Sequence, residues 1–362
     1  MVTLSGAVIA GDDAEYPQVR IVGDRLTFAP APPGGTEEVL EGWVLPGLVD
    51  VHCHIGFSPE GVCDEATTIE HARLTTSTGV LLTRDAGMPV DTRFLDSLPD
   101  APRIIRAGQH IARPKRYTRH LPLDLEDPED LPEALAAQAL AGDGWVKLVG
   151  DWIDRDGGEG ADLAPLWTPG QLTAAFAAAH ANGARVMVHT FAKETIDPLL
   201  TAGVDCIEHG TGMTHEHMEQ AAAAGIPVTP TLVQVENFPA IADQADGKYP
   251  RYAAHMRRLH QERFRRVRDM YEAGVQLLVG SDAGGGIPHG SYHEEIRLLA
   301  HAGIPAPAIV GAATYHARTY LGVPGITEGA PADVVVYPAD PREDAEVLRH
   351  PSAIFRAGNR LT

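Results

Sequence analysis

The sequence predicts an α/β fold, a (β/α)8 TIM barrel with a small β-sandwich domain built from both chain ends, on three observations. From about residue 44 onward, short apolar runs alternate with longer helical patterns, the mark of repeated βα units feeding a parallel sheet. The count of such runs approaches eight, and an eight-stranded barrel is the simplest closure. The two ends, 1–43 and roughly 327–362, instead carry short alternating segments such as 20–28 and 333–337 between Gly, Pro and acidic turns. The expected division is a discontinuous small β domain, 1–46 with 327–362, and a barrel over 47–326.

Candidate strands fall at 48–52, 80–85, 103–107, 145–149, 185–189, 206–209, 227–231 and 276–281, each a run of β-branched or aliphatic residues of strand length. Between them, Ala-rich stretches at 131–141, 171–182 and 216–224 supply helix formers. Gly183, Gly203, Gly225 and Gly274 each follow a helical stretch, where a C-terminus takes a left-handed residue. The stretch 243–268, rich in Arg, His and Tyr, is longer than a barrel needs after its seventh strand. It reads equally as a helix over the mouth and as a solvated charged helix, with Tyr252 and His255 in structural roles.

At 362 residues, 44% hydrophobic and 22% charged, the chain has ordinary globular composition and enough length for a large core. A net charge of −20 disfavours nucleic acid and anionic membrane surfaces as partners, because the long-range field repels phosphate during encounter. A small-molecule substrate is unaffected by that constraint, and a homo-oligomer stays open. The start MVTLSGAVIAGDD has no basic region before an apolar run, and no segment reaches the ~18 apolar residues of a membrane span. Three cysteines, Cys53, Cys63 and Cys206, are too few and too odd in number for a disulfide framework, which points to a reducing cytoplasm.

In a parallel barrel, functional groups project from the C-terminal strand ends. The first run ends in DVHCH, where His52 and His54 share a face and Cys53 points the other way. The fourth run carries Lys147, the fifth ends at His189, the sixth at His209 and the eighth at Asp282. Imidazoles and a carboxylate suit zinc or a similar divalent ion with one position open for water. Lys147 fits only if neutral, displaced or chemically converted, since an ammonium ~4 Å from a dication is repelled by several kcal/mol per metal charge at an effective dielectric of ~20. Taken singly, a strand-end histidine is commonly a hydrogen-bonded core residue, Asp282 a helix cap and Lys147 a solvated charge. Their joint occurrence at strand ends is what indicates a metal.

Further candidates lie nearby. His110 ends the third run, placed to touch a substrate oxygen or help form an oxyanion site. Arg113, Lys115, Arg116, Tyr117, Arg119 and His120 crowd the following loop, a cationic cluster that reads equally as a carboxylate receptor and as a solvated loop. His289, Tyr292 and His293 follow the eighth run as candidates to line the mouth, with a helix N-terminus as the competing explanation.

These residues resemble the amidohydrolase superfamily, and within it the imidazolonepropionase-like and prolidase-like branch of metal-dependent hydrolases. The resemblance covers nearly the whole chain: LPGLVDVHCH, the second-run TRDAG, IEHG around His209, GSDAG around Asp282, and GAATYHARTYLGV followed by ITEGAPADVVVY. It implies two divalent ions, zinc by donor type, with His52, His54 and Asp282 on the more buried one and His189 and His209 on the more exposed one. It further implies that Lys147 bridges them as an N6-carboxylated lysine, whose anionic carbamate removes the charge conflict. The implied reaction is hydrolysis of an amide or related C–N bond in a dipeptide, N-acyl amino acid or cyclic amide by a hydroxide bridging the ions, with Asp282 as ligand and general acid/base. Heterocycle deamination and lactone or ester hydrolysis are alternatives on the same site. Deaminases of this superfamily usually use one metal and a glutamate near a ligand histidine, and Glu194 does not match that spacing. The chain departs from its relatives in being short and in the basic character of loop 113–120.

Overall fold

In the computed structural model, which describes residues 1–31, 38–119 and 121–362, the apolar runs pair in parallel. Leu48–Cys53, Val80–Asp85 and Arg103–Ile105 form one three-stranded sheet in that order. Trp145–Val149, Arg185–Thr190, Cys206–His209 and Val228–Thr229 follow one another in a second sheet, extended beyond Trp145–Val149 by Ile111–Ala112 and Leu123–Asp124. Most consecutive strands are separated by a helix, which is what a parallel crossover requires. Local chemistry sets the helix ends. Pro169–Ala181 begins at Thr168, whose side chain accepts from the Gln171 N–H while the Gln171 side chain accepts from the Thr168 N–H. Lys193–Ala202 and His215–Ala224 stop at Gly203 and Gly225, with φ of 82° and 67°, and Gly183 and Gly274 are left-handed as well, as expected.

Successive strand residues face opposite ways, and two cores divide along that alternation. Val146 and Leu148 pack outward against Leu135, Leu172 and Phe176 of the helices. Trp145 turns inward to Met187, Cys206 and Leu278, and Lys147 shares its face. Cys53 is buried among Ala72, Leu95 and Ile104, on the side away from the histidines.

The eighth run differs from its expectation. No regular strand forms over 276–281; two isolated parallel bridges, Val228↔Leu277 and Cys53↔Ala283, take its place. The segment still joins the two sheets, because Leu278 N–H donates to Val228 O (3.0 Å) and Val51 N–H to Val279 O (3.0 Å). The ladder is interrupted where Gly280 presses against His52, close enough that a Cβ on it would lie 2.7 Å from the His52 Cβ. The run expected over 227–231 is likewise only Val228–Thr229, since Pro230 has no N–H to give and Thr231 turns left-handed at φ 45°.

The chain ends meet in one seven-stranded sheet, ordered Asn359–Arg360, Ala353–Arg356, Val334–Tyr337, Glu38–Pro46, Val2–Gly11, Ala14–Val22, Arg25–Thr27. A small β-sandwich was the expectation; the hydrogen bonding joins these seven strands in one continuous order, and strand Ala14–Val22 stays exposed over 15–18. Leu4, Val8, Val44, Val334 and Phe355 form a core of their own, whereas Ile9, Leu45, Val335 and Tyr337 belong to the large core under the helices. The stretch 243–268 lies in two helices, Phe238–Ala245 and Pro250–Glu272, whose Phe238, Ala242, Tyr252 and Met256 pack on Phe191 beyond His189. Arg257 and Arg265 on the long helix pair with acids at the surface, and His255 bonds Asp162 at 2.7 Å, so Tyr252 and His255 are structural. Among the described residues, no helix is long and apolar enough to cross a membrane.

Phe176 is fully buried in the main core. Phe176→Ala is expected to cost about 3–5 kcal/mol of stability, read as a lowered denaturation midpoint in urea.

Candidate metal centre

Backbone hydrogen bonds bring the first ligands together. The Asp282 N–H donates to His52 O (2.7 Å) and the His54 N–H to Ala283 O (2.8 Å), so the two chain segments are zipped at their ends. Asp282 Oδ1 then lies 3.2 Å from His52 Nε2 and 3.4 Å from His54 Nε2. Burial pushes the Asp282 carboxyl up, but His52 and His54 outweigh it and hold it well below the ordinary carboxylate range.

Three residues here have left-handed backbone without being glycine: His209 (φ 67°), Thr231 (45°) and Asp282 (51°). Each such position costs on the order of 1–3 kcal/mol, and clusters of them mark functional sites. At His209 the effect is concrete. Regular alternation would send Glu208 and His209 to opposite faces, yet Glu208 Oε2 accepts from His52 Nδ1 at 2.5 Å and His209 Nε2 sits 2.9 Å from His189 Nδ1.

The partners fix which nitrogens are free. The Thr231 hydroxyl donates to Pro230 O (2.8 Å), so its oxygen accepts from His209 Nδ1 (2.5 Å) and leaves Nε2 with its lone pair. The Glu208 carboxylate accepts from His52 Nδ1; burial and Lys147 press the pKa of that ring down, but Asp282 and Glu208 carry it above the ordinary imidazole range, and Nε2 faces Asp282. Burial holds His189 well below the ordinary imidazole range and His209 down to about 3, so both rings are neutral.

Glu208 is itself anchored by Arg84, Nη2 to Oε1 2.6 Å, and Arg84 donates from Nε to Val51 O (2.8 Å) and stacks 4.3 Å over Trp145. Burial raises Glu208, but Arg84, then Lys147 and His52, carry it well below the usual range. Glu208, Arg84 and Thr231 had no role in the sequence reading. Their signal was there: charged residues inside the apolar runs VLLTRD and CIEH, of opposite sign.

Lys147 is 1% exposed, and its Nζ has no hydrogen-bond partner among the described residues. Burial lowers its pKa against the pull of Glu208 and Asp282. Donor atoms of His52, His209 and Asp282 lie within 4.8 Å of one another, and the ring centroids of His189 and His209 are 4.6 Å apart. Neutral imidazoles at His189 and His209, an ionised carboxylate and an orphaned buried amine, with His52 and His54 beside them, together fit a divalent metal site.

The remaining candidates divide. His110 is buried beside the centre, its ring 5.9 Å from His54. Its Nδ1 faces Gly87 O at 3.0 Å, and a carbonyl only accepts, so the proton is on Nδ1 and the unpartnered Nε2 carries the lone pair. Burial, with His54 beside it, holds the ring well below the ordinary imidazole range. Tyr117 belongs to the site, its ring 5.1 Å from His189, 5.2 Å from His110 and 5.0 Å from Trp152. Arg113 does not face it: its guanidinium is spent on Leu125 O (2.7 Å) and Glu126 O (2.6 Å). His289 stacks on His71 at 4.1 Å and hydrogen-bonds the backbone of Phe57 and His54, beside the ligands, and His293 bonds the Leu348 backbone. His120 lies outside the described residues.

Two expectations follow from this geometry. Thr231→Val removes the acceptor of His209 Nδ1, and zinc affinity is expected to fall about 10–100-fold in competition with a chromogenic chelator. Glu295, fully buried, accepts from the Val233 N–H at 2.9 Å just beyond Thr231, and burial pushes its carboxyl from 4.5 up to about 8. A carboxyl raised in the folded state contributes its full stability below 4.5 and loses it as pH rises through about 8. Glu295→Gln is therefore expected to match the parent in urea midpoint near about pH 4 and to exceed it near about pH 9.

The sequence pattern of the amidohydrolase family matches residues 43–360. An uncharacterized protein of Mycobacterium tuberculosis is 48% identical over 342 residues, 94% of this chain and 91% of that protein. Ochratoxinase of Aspergillus niger is 25% identical over 234 residues, 62% of this chain and 47% of that protein; its crystal structure aligns over 100% of this chain and 96% of that chain, with a TM-score of 0.80 and 18% identity. A Xaa-Pro dipeptidase crystallised with methionine in its active site aligns over 99% of both chains with a TM-score of 0.81 and 23% identity. This chain, matched from residue 43 to residue 360, belongs to the amidohydrolase family.

Proposed function

We propose that this protein is a metal-dependent hydrolase that cleaves an amide or related carbon–nitrogen bond in a small molecule, with its site at the strand ends of a (β/α)8 barrel. The convergence of His52, His54, His189, His209 and Asp282 on one buried point, beside the partnerless Lys147, carries this reading. Family membership supports it, as do neighbours named as a dipeptidase, an ochratoxinase and a molinate hydrolase.

His52, His54 and Asp282 would hold one ion and His189 and His209 a second, both zinc by donor type, with Lys147 between them. Such ions supply a water activated near neutral pH and polarise the scissile carbonyl. Lys147 is suited to become N6-carboxylated. Burial favours its neutral amine, which adds to carbon dioxide and releases one proton to give an anionic carbamate. Asp282 stays ionised and is placed to take the proton of the attacking water and deliver it to the leaving nitrogen. His110, with its Nε2 lone pair facing the site, would accept an N–H or O–H of the substrate and fix its orientation. Tyr117 and Trp152 wall the same space with rings. The deaminase alternative loses ground, because Glu194 is exposed on helix Lys193–Ala202 and faces no ligand.

Chelation followed by dialysis is expected to abolish turnover of N-acyl amino acids, dipeptides or cyclic amides, and zinc to restore it, with about two ions per chain by elemental analysis. His189→Ala should lower kcat on the order of 100-fold or more with the fold intact by circular dichroism. Full activity in metal-free protein would sink the proposal. Carbon-13 bicarbonate should give a carbamate resonance in the parent that Lys147→Met lacks.

A further inference from the structure

In a chain with 49 acidic and 29 basic residues, arginines gather where the seven-stranded sheet of the chain ends meets the parallel strands. A cavity of about 490 Å³ lies there, and its charged lining is Arg93, Arg103, Arg106 and Arg356 against Asp96 and Asp143. Arg103 opens the strand Arg103–Ile105 and Asp143 stands just before Trp145–Val149, whereas His54, His189 and His209 lie at the far ends of theirs. Arg356 closes the strand Ala353–Arg356 of the terminal sheet. The cavity is therefore walled by both parts of the chain, toward the end of the strands opposite the candidate metal centre.

Hydrogen bonds separate the spent arginines from the others. Arg106 gives its guanidinium to Asp96 (2.7 Å), Asp143 (3.4 Å) and both oxygens of Thr92 (2.9 and 3.0 Å). Arg93 is divided among Asp91 (3.2 Å), Asp143 (3.2 Å) and Ala141 O (3.1 Å). Arg356 donates from Nε to Ala101 O (3.1 Å) and from Nη1 to Asp333 (3.1 Å), which leaves Nη2. Arg103, exposed at the rim, bonds no acid and no carbonyl with its side chain among the described residues.

Behind the cavity stands Arg318, 3% exposed. Its Nε donates to Gly47 O (3.0 Å) and its Nη1 to Pro324 O (3.2 Å), but its buried Nη2 meets no acceptor among the described residues. Burial lowers this guanidinium to about 10, with Arg103 and Arg356 pressing the same way and Asp333 opposing them. Three guanidinium groups thus lie within electrostatic reach of one another, and Asp333 is the one carboxylate acting on Arg318. Like charges held together oppose the compact state, and a buried N–H without an acceptor adds a desolvation cost. A bound anion relieves the repulsion. The excess of two positive charges in this group matches a dianion better than a carboxylate, and guanidinium forks fit the oxygens of phosphate.

We propose that this cavity binds a phosphate dianion, free or borne by a small phosphomonoester, held by Arg103 and Arg356 and backed by the charge of Arg318. Bound there, the anion ties the terminal sheet to the parallel strands, as an effector and not as a substrate. The assignment does not rest on the hydrolase reading above.

The test titrates the zinc-loaded full chain, freed of unbound zinc, with inorganic phosphate, β-glycerophosphate and the monoanion acetate at one ionic strength, with binding read by calorimetry. Phosphate is expected to bind at one site per chain and acetate at least about 10-fold more weakly, as for charge-assisted hydrogen bonds. Arg103→Gln should weaken phosphate binding at least about 10-fold with an unchanged circular dichroism spectrum, since that side chain holds nothing in the fold. Phosphate also ligates zinc, so the titration is repeated on His189→Ala, in which binding to the arginines should survive. Absence of binding in the parent, equal affinity in Arg103→Gln, no preference over acetate, or loss of binding in His189→Ala overturns the site. Comparable affinity for β-glycerophosphate marks it as a site for phosphomonoesters, and exclusion of that ester as one for free phosphate.

Discussion

The buried carboxylate of Glu208 is the point on which the site depends, because it joins three strands that are remote in sequence. One oxygen takes the guanidinium of Arg84 and the other the Nδ1–H of His52, all three side chains being fully buried. Breaking a buried charge pair by removing one partner costs about 3–5 kcal/mol, since the other charge is left without water or counterion. The pair is therefore held to one geometry. That rigidity passes to His52, whose Nε2 can point only toward Asp282, and through the zipped backbone at Asp282 and Ala283 to His54.

A second constraint lies in the backbone. His209, Thr231 and Asp282 each sit in a left-handed conformation that a side chain disfavours, and each is held there by a neighbour: His209 by Thr231, Thr231 by its bond to Pro230 O, and Asp282 by its N–H to His52 O. Strain at these positions is what lets side chains from a sheet converge, since undisturbed strands would point alternate residues apart. It also explains why regular strand pairing stops early at 229 and fails over 276–281.

The surroundings show a division of labour among like residues. Arg84 is structural at the centre, and Arg113 and Arg116 shape a loop. Histidines divide in the same way. Those at strand ends face one another and Asp282, while His293 and His255 are committed to the backbone or to an acid elsewhere.

Much of this was legible in the sequence. Strand and helix positions, the left-handed glycines and the strand-end residues His52, His54, Lys147, His189, His209 and Asp282 follow from periodicity and from which polar residue ends each apolar run, and both are local properties. What the sequence could not supply depends on partners far apart along the chain. Glu208 and His52 are 156 residues apart and Arg84 and Glu208 are 124 apart, so nothing local says that one carboxylate serves both. The tautomers of His209 and His110 are set by a threonine and by a carbonyl on other segments, and the part that Arg113 and Arg116 play in loop 113–119 is known only after they have found their acceptors. Sequence fixes which chemical groups are present and roughly where each strand ends; only the folded chain decides what each hydrogen bond consumes and which donors and lone pairs remain for a ligand.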